Sequence, residues 1–312
     1  MAVTRRMGLG LAALGRPAYI NLGRDGVLPA DRTVEAMKAA TWQVLDAAYE
    51  AGVRWVDAAR SYGRAEEFLA GWLDDRRPAG LTVSSKWGYA YVGGWRTEAD
   101  VHEVKEHSLA RFRVQLEETR RLLGDRTGVY QVHSLTSDSP LFGDAELKHA
   151  LAGLAADGVR VGFSTSGPAQ ADTVRRALEL EADGRRLFTT VQSTWNLLEP
   201  SAGPALAEAR AGGAHVIVKE GLANGRLAAD PPAPLRRVAE RHGAGADTIA
   251  LAAALARPWA DTVLSGAVSV AQLETNLAAE TVTLDRDELD ELDTLATTPG
   301  DYWQDRAALP WN

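Results

Sequence analysis

Asp57, Tyr62, Lys86 and His133 are the side chains of this sequence whose types, taken together, make a proton-transfer site. Within 52–63, GVRWVDAARSYG, the strand-favouring run 53–56 stops at Asp57, and a phenol follows at Tyr62. The segment 81–86, LTVSSK, reads as a strand ending on Lys86, and 128–133, GVYQVH, as one ending on His133. A tyrosine with an ordinary pKa of ~10 is a poor acid at neutral pH unless a cation stabilises its phenolate. One ammonium about 4 Å away contributes ~4 kcal/mol at an effective dielectric of ~20, enough to lower the phenol pKa by about three. Once buried, that lysine needs a counter-ion to stay charged, and Asp57 fills the role. His133, as a neutral donor, orients a carbonyl beside the phenol. The set donates a proton to an oxygen that is becoming an alkoxide. It contains no hydride source, so a reductase would have to bind one.

Taken singly, a strand-end carboxylate is more often a cap and a lone histidine a satisfied polar contact. The four act together only if their strand ends meet. Strands are expected at 7–12, 53–57, 81–86, 128–133, 159–163, 188–192, 214–218 and 262–265. Helices are expected at 31–50, 65–75, 106–123, 145–156, 169–181, 203–211, 232–242, 246–256, 270–279 and 286–296. This alternation over 312 residues predicts an α/β fold, an eight-stranded parallel (β/α)8 TIM barrel, with an open doubly wound sheet as the alternative. A barrel places active-site groups at the C-terminal strand ends, which puts all four residues on one rim. With no linker or break in composition, one domain is expected over 1–312. The loop near 87–105 and the tail 297–312 are expected over the mouth, because a loop this long and aromatic is functional rather than disordered. Trp87, Trp95, Trp195, Trp303 and Trp311 are expected to wall the pocket.

Composition narrows the function classes. A net charge of −8 argues against a nucleic-acid surface, which needs a basic stripe. No apolar run approaches the roughly 20 residues of a membrane helix, and the N-terminal MAVTRRMGLGLAALG is glycine-broken and lacks a convincing cleavage site, so the protein is read as cytosolic. Zero cysteines exclude disulfides, thiol catalysis and thiolate metal ligands, and no metal site is expected. Lysine is scarce, which draws attention to Lys86 and Lys219 at expected strand ends.

The Asp, Tyr, Lys and His set, with DAARSYGRAEEFL, SSKWG and YQVHS, resembles the aldo-keto reductases. GFSTSG, VQSTWNLLE, GLANGRL and SGAVSVAQLETNL resemble later segments of that family in the same order, so the likeness spans nearly the whole chain. The resemblance implies hydride transfer between a nicotinamide cofactor, NADP or NAD, and a small-molecule carbonyl or sugar, with Tyr62 as general acid and base. It implies that Ser164, Thr165 and Gln192 hold the carboxamide and that the loop 221–227, with Gly221, Leu222, Asn224, Gly225 and Arg226, holds the pyrophosphate. Ser265, Gly266, Ala267, Gln272 and Asn276 would meet the adenosine portion. Thr165 stands where the family commonly has asparagine. Lys219 stands where an aromatic ring commonly stacks on the nicotinamide, and a salt bridge to an acid such as Glu220 is its other reading. Val268 and Gln272 stand where NADP-preferring members often carry a cation, which leaves NAD and NADP both open. Two rivals remain: a Schiff-base aldolase using Lys86 or Lys219, and a non-catalytic subunit that senses nicotinamide nucleotides.

Overall fold

In the computed structural model, which describes residues 5–24 and 26–312, eight parallel strands close into a barrel. They are β1 (Met7–Gly10), β2 (Trp55–Asp57), β3 (Thr82–Trp87), β4 (Thr127–Leu135), β5 (Arg160–Thr165), β6 (Thr190–Thr194), β7 (His215–Lys219) and β8 (Thr262–Ser265). Each strand pairs with the next, and β8 returns to β1, so the open-sheet alternative is excluded. The register places Gly10 and Ser84 on either side of Asp57, and Lys86 beside Gln131. Asp57 and Lys86 therefore end neighbouring strands at the same rim.

Trp55, Val129, Ile217 and Leu264 form a separate buried cluster inside the barrel, with Trp55 stacked on His215 at 4.7 Å between ring centroids. This plug is the floor of the site. Gly8 leaves room for this plug, since a Cβ there would come within 2.9 Å of Leu264 and 3.2 Å of Trp55 and those side chains would have to shift. Outside the strands the helices bury their apolar stripes. The helix Val34–Glu50 turns Met37, Val44, Leu45 and Ala48 inward and is capped by the Thr33 hydroxyl on the Ala36 N–H. The larger of these side chains contribute roughly 1.5–3 kcal/mol each by burial. The chain leaves the helix through Gly52, whose φ of +92° suits glycine.

The structure departs from the sequence-based expectation at identifiable places. Residues 87–105 are not an irregular loop: Trp87 belongs to β3, and Tyr89–Tyr91 pairs antiparallel with Glu103–Lys105. Gly88, at φ +106°, turns the chain out of the barrel into this ribbon. The next helix starts at Leu109, capped by Ser108, rather than at 106. The expected helix 169–181 stops at Leu178, and β6 lies two residues beyond the expected 188–192. The tail forms a further helix, Pro299–Ala307, on a Thr298 cap. Among the described residues no helix is long and apolar enough to cross a membrane.

Candidate active site

Three of the four groups, Asp57, Tyr62 and Lys86, form one hydrogen-bonded unit at the barrel mouth. The Lys86 ammonium has three N–H donors, and it spends them on the Asp57 carboxylate, the Ala58 carbonyl at 3.1 Å and the Tyr62 hydroxyl oxygen at 3.1 Å. Because that oxygen accepts from Lys86, the phenolic O–H stays free to donate toward the cavity. Lys86 itself offers no lone pair to a carbonyl in this arrangement. Asp57 is held in place by Ser84 at 2.7 Å, Gln192 at 3.0 Å and Gln131 at 3.3 Å, all donating to its other oxygen. The loop bearing Tyr62 docks on the segment after β1: Arg64 N–H donates to the Gly15 carbonyl at 2.7 Å, and a Cβ on Gly15 would run into Tyr62 and Ala65.

His133 reaches the same rim through an irregularity. The β4–β5 register shifts after Val132, and Ser134 adopts φ +50° while its N–H donates to the Ser164 hydroxyl at 2.8 Å. Such a bulge re-aims a side chain. The imidazole meets the Tyr62 ring edge-on, 5.4 Å between centroids, and its Nδ1 lies 3.2 Å from the Ser61 hydroxyl. Burial, then Lys86, Lys219 and Arg16, push its pKa well below the usual histidine range, so the ring is neutral.

Tyr62 corrects an expectation. Burial and then the Asp57 carboxylate push its pKa well above that of an ordinary phenol, with Arg16 opposing. The ammonium does not make the phenol acidic here, because burial and the Asp57 carboxylate prevail. Burial also lowers the Lys86 pKa, against the pull of Asp57.

Around these groups lies a cavity of about 440 Å³, within the range of small-molecule sites. Asp57, Tyr62, His133, Gln192, Lys219, Gly221, Leu222, Asn224, Gly225, Ser265, Gly266, Ala267, Gln272, Asn276 and Trp311 all line it, while Lys86 sits behind Tyr62. Ser164 and Thr165 do not line it. Both are fully buried, and the Thr165 hydroxyl is spent on Ser193 at 2.6 Å; their neighbour Ser166 faces the cavity instead. Four of the five tryptophans are also elsewhere. Trp87 follows inward-facing Lys86 and so turns to the outer face of β3, against Phe112 at 5.1 Å. Trp195 packs on Trp259, Trp303 on Tyr302, and Trp95 on Phe68.

Several lining residues carry no signal in the sequence. The guanidinium of Arg16, 1% exposed, lies over the rings of Tyr19, Tyr62 and Trp311 at 4.4, 5.1 and 5.1 Å and pairs with Glu103 at 2.7 Å. Glu103 comes from the ribbon after β3. Trp311 stacks flat on His102 at 4.1 Å, and the Asn312 carbonyl accepts from the Tyr19 N–H and from Arg24.

Lys219 donates to the Thr194 hydroxyl at 2.8 Å and lies 3.7 Å from Glu220. Burial lowers its pKa to about 8, with Glu220 opposing. Glu220 is also gripped by Arg306 of the tail helix at 2.5–3.1 Å. Burial disfavours the Glu220 carboxylate, but Arg306 and Lys219 outweigh it and hold the carboxyl well below its usual range. Its stabilising contribution is therefore full above the ordinary carboxylate pKa of about 4.3 and is lost as pH falls through the lower folded value. Glu220→Gln, which takes the counter-charge from two half-buried cations, is expected to destabilise the fold by ~1–3 kcal/mol at neutral pH. Urea unfolding at pH 7 and about pH 2 checks this, and the gap between variant and wild type should narrow at the acid end.

The model of the aldo/keto reductase family matches residues 6–297. The chain belongs to that family. Two solved structures are alike in fold. An aldo-keto reductase, AKR11C1 from Bacillus halodurans in its holo form, has 22% identity and a TM-score of 0.70 over 94% of this chain and 92% of its own. The glycerol dehydrogenase AKR11B4 from Gluconobacter oxydans has 21% identity and a TM-score of 0.68 over 95% and 92%. No curated protein sequence matches the chain. Members of the aldo/keto reductase family use nicotinamide cofactors, and the cavity suits one. It runs continuously from Tyr62 to Asn276, and the buried Asn224 side-chain oxygen on its wall has no hydrogen-bond partner within the protein.

Proposed function

We propose that this aldo/keto reductase interconverts a carbonyl compound and its alcohol, with Tyr62 as the proton donor and acceptor. The observation that carries the reading is the 3.1 Å contact from Lys86 Nζ to the Tyr62 oxygen at the wall of the cavity. When bound, a nicotinamide dinucleotide supplies or takes up the hydride. Backbone N–H groups of Gly221, Leu222 and Asn224, with Gly225 beside them, would hold its pyrophosphate, and Ser265, Gly266, Ala267, Gln272 and Asn276 its adenosine portion; the Asn224 side-chain oxygen is left to accept from a hydroxyl. Gln192, through Asp57, and Ser166 border the place for the carboxamide, with Lys219 beside them.

Tyr62 stays protonated at neutral pH and gives its free O–H hydrogen to the carbonyl oxygen as negative charge develops there. Its raised pKa does not prevent this, since an aliphatic alcohol is a far weaker acid than a buried phenol. Neutral His133 donates to the same oxygen and fixes its direction. Lys86 holds the phenol oxygen and stabilises the phenolate left behind, while Asp57 keeps Lys86 charged. Arg16, Tyr19, Tyr89, Glu103 and Trp311 close the substrate side and exclude water.

The test is steady-state oxidation of NADH and of NADPH in the presence of an aryl aldehyde, read by nicotinamide absorbance. Turnover supports the reading. Nucleotide binding with no turnover of aldehydes, ketones or aldoses would replace it with a nucleotide-sensing role.

A further inference from the structure

The β7–β8 side of the cavity is lined by residues of 221–228, of the helix Ala246–Leu255 and of 264–276. Among the described residues, Asp247 is the one charged side chain that these segments contribute to the lining. Arg226, the one cation in these stretches of sequence, is not part of the wall. Its Nε donates to the Ala223 carbonyl at 3.1 Å, its guanidinium lies over the Tyr302 ring at 4.4 Å, and Asp305 is 3.9 Å away.

Some backbone donors on this side are already paired with side-chain oxygens. Asp247 Oδ1 accepts from the Thr248 N–H at 2.9 Å, in the first turn of its helix. At the helix Val270–Ala278, Ser269 accepts from the Gln272 N–H at 3.2 Å, and Gln272 Oε1 accepts from the Val268 N–H at 3.0 Å. Ser265 accepts from the Ala267 N–H at 3.2 Å. A helix N-terminus with free N–H groups welcomes a phosphate; these two present carboxylate, hydroxyl and amide oxygens that occupy part of those donors. A phosphate monoester carries about −1.5 to −2 charge at neutral pH and has only acceptor oxygens to present. A ribose diol presents O–H donors, which a carboxylate accepts and a phosphate cannot replace.

We propose that Asp247 makes this site selective for NAD(H) over NADP(H), by accepting from ribose hydroxyls and repelling a 2′-phosphate. The proposal rests on the cofactor placement given under Proposed function, and it adds the residue and the sign of the discrimination. Asp247 is half-buried, so salt reduces the repulsion without abolishing it.

Binding decides the matter without turnover. The full chain is titrated with NADH and separately with NADPH, following tryptophan fluorescence and confirming by calorimetry at low ionic strength. NADH is expected to bind at least ~10-fold more tightly. Asp247→Asn should narrow that ratio. Gly266→Lys, at a lining position where an added Cβ meets nothing within 4 Å, should narrow it further by strengthening NADPH. Equal or tighter NADPH binding by the wild type overturns the selectivity while leaving the cofactor reading in place. A ratio unmoved by Asp247→Asn overturns the assignment to that residue. Should that variant fail to fold, a ratio unmoved by Gly266→Lys overturns the charge-based discrimination instead. No binding of either nucleotide overturns both the cofactor reading and the selectivity.

Discussion

Tyr62→Phe is expected to lower the turnover of carbonyl reduction by at least ~100-fold. The change deletes one oxygen and little else. Tyr62 is 7% exposed, its ring packs edge-on to His133 and under Arg16, and phenylalanine keeps those contacts. What is lost is the O–H hydrogen on the cavity side and the acceptor for one Lys86 N–H. The second loss costs about 1–3 kcal/mol of stability, which a folded domain of this size tolerates. Nucleotide binding should be nearly unchanged, because the proposed dinucleotide contacts lie on β5 to β8 and the loops that follow them. An interaction made only as charge develops on the substrate lowers kcat and kcat/KM together, and that pattern is expected here. The pH profile adds a separate readout. With the phenol raised above its ordinary value, wild-type reduction should decline on the alkaline side only beyond about pH 10, where the proton is lost. The variant should show no such limb. Wild-type turnover in Tyr62→Phe would remove Tyr62 from the mechanism.

The parts of the site that are legible in the sequence are those fixed by the barrel's own rule. A strand that ends on a polar residue delivers it to one rim, so Asp57, Lys86 and His133 are identifiable from where β-branched runs stop, and Tyr62 from its distance beyond Asp57. Residues that meet only through tertiary contact are not. Arg16 and Glu103 lie 87 positions apart, and Glu220 and Arg306 lie 86 apart; nothing local marks either pair. Asp247 looks like an ordinary acidic residue in a first helical turn until the cavity is seen to pass it. Other features do carry a local signal. Thr298–Pro299 is a cap followed by a first-turn proline and announces the tail helix. Asp183 and Gly184, both at positive φ, form the turn of a small hairpin, Glu181–Ala182 with Arg185–Arg186, which ends the preceding helix early. The tryptophans show a limit of composition: an aromatic count says how much ring surface exists, but strand phase decides which face it covers. Alternation from Lys86 already sends Trp87 outward. The phenol's acidity shows another limit, since a lysine in the sequence does not reveal how deeply the phenol is buried or that a carboxylate lies beside both.

Lys86→Met should damage both activity and stability, and separating the two isolates the ammonium's role. Methionine fills nearly the same volume, so packing survives, but the Asp57 carboxylate remains 2% exposed without its cation. Removing one member of a buried pair costs ~3–5 kcal/mol. The lower end is expected here, because Ser84, Gln131 and Gln192 still donate to Asp57. Guanidinium unfolding reads this loss. The double change Lys86→Met with Asp57→Asn removes the orphaned charge and should recover most of the stability. It should recover none of the activity, since the phenolate left after proton transfer would still have no cation beside it. Turnover is expected to fall ~100-fold or more in both variants. If the double variant regained stability and wild-type turnover together, the ammonium would be a structural ion and no part of the chemistry. If stability returned alone, the 3.1 Å contact with Tyr62 would be what the buried pair is kept for.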